Sequence, residues 1–247
     1  MIKIFRKIRY NLMEQNKTGK YLKYALGEIV LVMLGILLAL QVNNWNEARK
    51  TNKIEKQIFE NLLSSLKKDS TELLRIVDFQ VKSARQHNRI INSTVSEFTS
   101  AISEDSISNI LHELCNGRYS FFPKYGIYNS IVSSKGLDIL HSETIRSKLI
   151  DLYDYEYKRY ESIDKVLDER FDAILVPFLN KEIGFYINSN SEHNKIDIKN
   201  FEANFHELQL QCKYITGQST SSLTLLQSIQ SNVNELITEM GVEKRKL

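Results

Sequence analysis

The stretch YALGEIVLVMLGILLALQVNNW, Tyr24–Trp45, determines how the rest of the sequence is interpreted. Between Ala25 and Val42 its strongly polar members are Glu28 and Gln41. An α-helix rises about 1.5 Å per residue, so this segment spans about 27 Å, close to the hydrocarbon thickness of a bilayer. A helix that is apolar on every face over this length is unlike the core helix of a soluble domain. The stretch therefore predicts a transmembrane helix over residues 25–42.

Basic residues are concentrated before this helix. Residues 1–24 contain seven Lys/Arg and one acidic residue, whereas the 15 residues after Val42 contain four Lys/Arg. The positive-inside rule assigns the richer flank to the cytoplasm. We therefore expect a single-pass protein of the cytoplasmic (inner) membrane, with its N-terminus inside and residues 43–247 outside the cytoplasm. A cleaved signal peptide is the rival interpretation, but no small-residue cleavage site with turn residues follows the helix.

The net charge of the chain, +3, conceals this division. Beyond residue 24 there are 26 basic and 29 acidic residues, so the sequence indicates no nucleic-acid partner. Within residues 1–24, Ile4, Phe5, Ile8 and Leu12 share one helical face. This pattern predicts a basic amphipathic helix at the surface of the lipid bilayer; a basic tail that only sets orientation is the alternative.

Glu28 shares one face of the predicted transmembrane helix with Gly35, Ala39 and Asn46. Small residues let two membrane helices approach closely, and polar groups on the same face can hydrogen-bond between them. The face therefore predicts a homo-oligomer formed through this helix. The alternative is a monomeric anchor in which Glu28, about one turn inside the boundary, extends its carboxylate to the headgroups.

Helical periodicity dominates the rest of the chain, and strand-like alternation is nearly absent. No Gly or Pro occurs from Ile36 to Asn116, so the membrane helix is expected to continue as a long stalk helix to about Ile91, or to break at Asp69–Ser70. We predict an all-α fold with one transmembrane helix, a stalk helix and an extracytoplasmic helical bundle within residues 43–247. Further helices are predicted at 106–115 and 127–136, from Ser142 to Pro177, and at 201–214 and 222–240, these last two ended by Gly217 and Gly241.

Five of the 24 aromatic residues fall within ten positions, which we name the aromatic segment, residues 119–128. Such a loop at the tip of a helical domain is a candidate site for a ligand or a protein partner. It can also fold back over the core with Pro123 fixing its turn, and the free energy of aromatic burial favours this alternative. The five residues are Tyr119, Phe121, Phe122, Tyr125 and Tyr128.

Motifs for catalysis, metal binding and cofactor binding are missing from the sequence. His112-Glu113 and His206-Glu207 begin like zinc-protease helices, but neither histidine is followed by a second one four residues later. No glycine-rich phosphate loop and no nucleophile elbow occurs. We therefore expect no enzyme, no metal site and no cofactor.

Cys115 and Cys212 are the only cysteines, and each lies near the end of a predicted helix. Outside the cytoplasm two cysteines can form a disulfide. They can equally be two small buried residues, and the sequence permits both alternatives.

Two stretches resemble a known family. GKYLKYALGEIVLVMLGILLALQVNNWNEARK, residues 19–50, is similar to the N-terminal signature of an uncharacterised bacterial membrane family, domain-of-unknown-function family 6090. FFPKYGIYNSIVSSKGLDILHSETIRSKLIDLY, residues 121–153, resembles its second pattern, here at Phe122, Pro123, Tyr128, Ser133, Ser134, Leu137 and Arg146. The family's glycine after the serine pair is Lys135 here and Gly136 follows, so we expect the helix end to shift by one residue. The resemblance implies a single-span anchor with a helical domain, and no activity.

An interaction or scaffold protein held in the membrane is the function that we expect, with an unknown protein as its partner. The alternative is a sensor-like module that binds a small ligand outside the cytoplasm. It would need a partner for signalling, because residues 1–24 are too few for an output domain.

Overall fold

Helix α1 runs from Thr18 to Asn92 without interruption. It belongs to a computed structural model that describes residues 10, 18–99, 103–187 and 196–246 of the chain. No Gly or Pro occurs from Ile36 to Asn116, which favours this length because both residues weaken a helix interior. The predicted continuation of the apolar helix is confirmed, and the alternative of a break at Asp69–Ser70 is wrong. Within the described residues, α1 is the one helix long and apolar enough to cross a membrane.

The chain divides into two units, Met1–Ile54 and Glu55–Leu247, and the division falls within α1. In the first unit the apolar side chains of α1 are exposed from Leu26 to Val42. In the second unit α1 carries buried residues from Glu55 to Ile90. We name the second unit, Glu55–Leu247, the helical unit. The part that the sequence predicts as a stalk is therefore, from Glu55 onward, a core helix of the helical unit.

The helical unit contains no strand within the described residues, which confirms the all-α prediction. Short 3₁₀ turns lie at Asn116–Arg118 and Gly136–Ile139. Ser142 caps the helix Glu143–Ile150 as predicted, because its side chain accepts a hydrogen bond from the N–H of Ile145. The further helices are α2 Val95–Thr99, α3 Glu104–Cys115, α4 Tyr125–Ser133, α5 Glu143–Ile150, α6 Tyr157–Arg170, α7 Val176–Phe178 and α8 Ile198–Glu243.

From Glu143 to Ile183 the chain is helical throughout. The prediction that this helix ends at Pro177 is wrong, because it continues to Ile183 and is followed by Gly184, whose φ of 77° is left-handed. Proline lacks an N–H and crowds the carbonyl four residues back, and the wider turns of π-helix before and after Pro177 accommodate both effects. The π-helical segments are Asp151–Glu156, Phe171–Leu175 and Leu179–Ile183.

Helix α8 is a single helix, so the prediction of two helices ended by Gly217 and Gly241 is wrong. A Cβ atom at Gly217 would meet nothing within 4 Å, so this glycine is an outer residue that the helix tolerates. Hydroxyl groups around it donate to carbonyls four residues earlier, which satisfies them inside the helix. These hydroxyls belong to Thr216, Thr220, Ser221 and Thr224.

Lys135 forms the left-handed turn after α4, with a φ of 55°. The expectation that the helix end shifts to Gly136 is therefore wrong, because Lys135 adopts the left-handed conformation itself. Gly136 has a different role. A Cβ atom there would lie 3.0 Å from Cγ2 of Ile131 and 3.2 Å from Cδ1 of Ile58, so the glycine lets the turn pack directly against α1.

Two clusters of buried side chains form the core of the helical unit. The first core cluster contains residues of α1 from Ile58 to Ile76, of the aromatic segment and α4, of the helical stretch from Ile145 to Tyr160, and of α8 from Leu226 to Met240. The second core cluster contains Ile90, residues of α2 and α3, of the helical stretch from Leu167 to Ile183, Phe185, Ile196, and of α8 from Phe201 to Ile215. Part of the aromatic segment thus belongs to the first core cluster.

Candidate functional site

The aromatic segment begins with an extended stretch, residues 119–124, that belongs to no helix or strand. Its backbone polar groups therefore need partners from elsewhere in the chain. Nε2 of Gln80 donates to the carbonyl oxygens of Gly117 at 2.8 Å and Tyr119 at 3.3 Å. The N–H of Phe121 donates to the hydroxyl of Tyr160 at 3.0 Å. Buried side chains of α1 and α6 therefore hydrogen-bond to the backbone of this stretch, as a neighbouring strand would in a sheet.

Asp69 of α1 holds the end of the extended stretch. Its carboxylate is fully buried and accepts hydrogen bonds from the backbone N–H of Lys124 and from the hydroxyl of Tyr157, each at 3.3 Å. The ammonium of Lys124 lies 3.5 Å from the same carboxylate. Burial raises the pKa of Asp69, and the charge of Lys124 opposes that rise. The residue that resembles a helix cap in sequence therefore binds a segment 55 positions away.

Asp164 and Asp168, one turn apart on α6, hold the middle of the stretch. The hydroxyl of Tyr160 donates to Oδ1 of Asp164 at 2.7 Å while it accepts from Phe121, so Asp164 orients that hydroxyl. Oγ of Ser120 lies 3.1 Å from each carboxylate oxygen of Asp168. Burial, together with the neighbouring carboxylate of Asp164, raises the pKa of Asp168 to about 6. The segment is thus held partly by carboxyl groups whose ionisation is disfavoured by burial.

Three of the five predicted site residues, Phe121, Tyr125 and Tyr128, pack into the first core cluster. The ring of Tyr128 stacks on Tyr153, with centroids 4.3 Å apart and planes 3° apart. The ring of Phe121 meets the edge of Tyr157 at 5.6 Å. For these three residues the structure has the arrangement in which the segment folds back over the core.

The other two predicted residues, Tyr119 and Phe122, remain at the surface, 44% and 74% exposed. The Tyr119 ring lies 5.0 Å from the ring of Phe79, and the guanidinium of Arg75 lies 5.3 Å from the Phe79 ring centre. Phe122 directly follows the buried Phe121 in a stretch whose backbone is bonded on both sides. The structure therefore divides the predicted site into an inner part in the core and an outer pair that solvent reaches.

A groove of about 280 Å³ lies where α4 begins. Its two lysines favour an anionic group on any small ligand. The ammonium of Lys124 is already 3.5 Å from the carboxylate of Asp69, which weakens that preference. The groove is lined by Asn61, Ser64, Ser65, Lys68, Lys124, Gly126 and Ile127.

The predicted packing face of the transmembrane helix lies in α1 of the first unit. Gly35, Ala39 and Asn46 are exposed, Glu28 is half-buried, and a Cβ atom at Gly35 would meet nothing within 4 Å. Association through this face stays a prediction. The amphipathic helix predicted within residues 1–24 falls largely on residues 1–9 and 11–17, which lie outside the described residues.

Cys115 and Cys212 both belong to the second core cluster and are free, buried thiols in the structure. Burial raises the pKa of the Cys115 thiol to about 12 and also raises that of Cys212. The two thiols are thus protonated and unreactive while the cluster is closed. A disulfide between them stays a prediction.

A family model matches residues 28–189, a range that contains most of the arrangement just described. The chain belongs to a family of unknown function, DUF6090. In this DUF6090 chain the matched range includes the whole aromatic segment. It also includes the polar side chains of α1 and α6 that hold the segment, which we name its polar supports, whereas α8 lies beyond it. Comparisons with curated proteins and with solved structures gave no match.

Sequence reasoning missed the polar supports of the aromatic segment. Gln80, Asp164 and Asp168 resemble the solvated residues of a surface helix, because charged residues surround them in the sequence. The available signal was spacing. Asp164 and Asp168 lie four and eight residues after Tyr160, so they share one helical face with this buried tyrosine. A carboxylate on such a face indicates a buried polar contact, since an unpaired buried charge is costly.

Proposed function

We propose that this DUF6090 protein is a single-pass protein of the cytoplasmic membrane that presents its helical unit outside the cytoplasm as an interaction or scaffold domain. The exposed apolar part of α1 supports the membrane anchor. The excess of basic residues in residues 1–24 supports the orientation.

Phe122 carries the proposal that the helical unit binds a protein partner. A phenylalanine that is 74% exposed leaves a large apolar surface in water, which a partner would cover. Its backbone is already fixed by the bonds that Phe121 and Lys124 make to buried side chains. Binding would therefore order little, and an aromatic anchor presented in this way is typical of the residues that dominate interface energetics.

Site-specific photo-crosslinking in intact cells tests this surface. A photoreactive phenylalanine analogue at position 122 of the full-length protein should give an adduct of one defined mass. The adduct should decrease when Tyr119 is replaced by alanine, because Tyr119 belongs to the same exposed pair. The matched control is the analogue at Tyr155, which is 61% exposed on the π-helical segment before α6. Identical adducts at both positions, or none at position 122, would remove the proposed surface.

Reporter fusions after Leu247 test the orientation separately. A reporter that works only outside the cytoplasm should be active, and one that works only inside should be silent. The reverse result would place the helical unit in the cytoplasm and overturn the proposed topology.

The second candidate function is a sensor-like module for a small ligand, and the groove beside Lys68 and Lys124 favours it. Native mass spectrometry of the purified full-length protein should then show a small anionic molecule that Lys68→Ala releases. The interaction function predicts no such mass. An enzymatic role is disfavoured, because the sequence supplies no catalytic motif.

A further inference from the structure

A layer of buried polar residues separates the two core clusters. On α1 every buried residue between Ile76, of the first core cluster, and Ile90, of the second, is polar. The same holds on α6 between Tyr160 and Leu167, and on α8 between Ile215 and Leu226. We name these residues the polar layer: Gln80, Ser83, Gln86 and His87 of α1, Asp164 of α6, and Ser219 and Ser222 of α8.

Contacts between α1 and α8 place Gln80 and Ser83 of α1 level with the two buried serines of α8. The helices are antiparallel, since Oγ of Ser70 donates to Asn234 at 2.8 Å and Nε2 of Gln209 donates to the carbonyl of Ile90 at 3.0 Å. Interpolating between these pairs places Ser222 opposite Gln80, and Ser219 opposite Ser83.

Helix α6 reaches the same level from its own side. Nε2 of Gln218 lies 3.4 Å from the carbonyl oxygen of Ile163, which places Ser219 beside Asp164. The layer therefore crosses three long helices of the unit and interrupts the apolar core between them.

Several polar atoms of the layer have no hydrogen-bond partner among the described residues. Oγ of Ser219, Oγ of Ser222, Oε1 of Gln80 and Nε2 of His87 are all in this state. Burial lowers the pKa of His87 to about 4, so its ring is neutral at pH 7. A buried polar atom without a partner costs free energy, so the layer is a weak plane through the core.

Neighbouring serines of α8 differ in how their hydroxyls are placed. Ser221, an exposed neighbour, donates its hydroxyl to the carbonyl of Gly217 at 3.0 Å. Ser219 and Ser222 flank it and make no such bond. Their hydroxyls are buried in the interface instead of being satisfied by their own helix.

We propose that the polar layer divides the helical unit into two parts that open separately. Opening of the second core cluster then exposes Cys115 and Cys212, which both belong to it, while the first core cluster keeps the aromatic segment folded. Apolar contacts couple parts of a core cooperatively, and a layer of buried polar side chains weakens that coupling.

Hydrogen exchange followed by mass spectrometry on the full-length protein in detergent tests the division. Amides of α8 at 201–215 should exchange at least tenfold faster than those at 226–240. Alkylation of the two cysteines in reduced protein should follow the opening of 201–215. Equal protection of the two ranges, or alkylation that follows 226–240, would overturn the proposal.

Replacing the two buried serines sharpens the test. Ser219→Ala with Ser222→Ala removes two buried hydroxyls that lack partners, so the difference in exchange between the two ranges should shrink several-fold and alkylation should slow. Ser221→Ala is the matched control, since its hydroxyl is exposed, and it should leave both measurements unchanged. An unchanged difference in the double variant would show that the serines do not uncouple the two parts.

Discussion

The parts of α1 before and after Glu55 are inverted in polarity. From Leu26 to Val42 the helix exposes apolar side chains, whereas from Glu55 to His87 it buries them, together with carboxylates, amides and an imidazole. Each arrangement fits a different partner: an apolar surface suits hydrocarbon, and buried polar groups suit the backbone of an extended segment. Exposure along a helix therefore reports what surrounds it, because the helical backbone is the same in both parts.

The largest expected effect separates two leucines of equal exposure. Leu37 in the first part and Leu74 in the second are each 58% exposed. Leu37→Arg puts a charge near the middle of the proposed membrane segment, which should make insertion less favourable by about 3 kcal/mol. Leu74→Arg should have no such effect, since Leu74 faces water. Alkaline extraction of membranes measures the integrated fraction, and equal extraction of both variants would contradict the inversion.

The next largest effect is expected when a buried polar contact is broken in the part of α1 that begins at Glu55. The fully buried carboxylate of Glu55 accepts from the backbone N–H of His141 at 2.7 Å and lies 2.6 Å from its Nδ1. His141→Ala removes the ring and leaves the carboxylate short of a partner, so the free energy of unfolding should fall by about 2 kcal/mol. Urea unfolding of the full-length protein in detergent measures this value. His206→Ala, at an exposed histidine, should stay within about 0.5 kcal/mol of the wild type.

A pH-dependent effect is expected at Asp168. Because its pKa is raised to about 6 in the folded state, the protonated form is favoured on folding. Its contribution to stability is present below the unfolded pKa, about 4, and is lost as the pH rises through 6. Asp168→Asn should therefore be more stable than the wild type at pH 7.5, by about 1 kcal/mol after allowing for partial solvent exposure, and should lose that advantage near pH 4.

Unfolding at a series of pH values measures the Asp168 effect. The exposed Asp138→Asn provides the matched control and should show no pH-dependent gain. A gain for Asp168→Asn that is constant from pH 4 to 7.5 would show that ionisation is not its cause.

The predicted oligomer depends on the small residues of the first part. Gly35→Ile should push two helices apart and reduce crosslinked oligomer in membranes several-fold. Glu28→Gln should do less, because interhelical polar pairs contribute only about 0.6 kcal/mol on average. Leu37→Ile, on the opposite face, is the control. Equal oligomer recovery for Gly35→Ile and the wild type would indicate a monomeric anchor in which Glu28 extends to the headgroups.

The smallest expected effect concerns Lys135, whose φ of 55° strains any residue with a Cβ atom. Lys135→Gly should stabilise the helical unit by about 0.5 kcal/mol, since relief of strain exceeds the greater flexibility of glycine in the unfolded chain. The matched control, Lys165→Gly in the interior of α6, should destabilise it by about 1 kcal/mol. Urea unfolding measures both, and destabilisation by Lys135→Gly would contradict the strain argument.

Features set by neighbours in sequence were predictable without the structure. The apolar stretch, the length of α1, the all-α class and the cap at Ser142 each depend on residues within one or two helical turns. Predictions of helix ends were wrong where tertiary packing outweighed the low helix propensity of one residue. Gly217 did not end α8, because buried Ile215 and Leu226 on either side keep the helix in the core.

Only the tertiary structure decided which aromatic residues enter the core and which polar residues hold them there. Asp69 binds Lys124 across 55 positions, and Gln80 binds Gly117 across 37. The sequence by itself determined the helices and the apolar segment, because helix formation and hydrophobic patterning act over short separations. It could not determine these pairings, because a buried carboxylate or amide is stabilised by whichever distant group the fold brings to it.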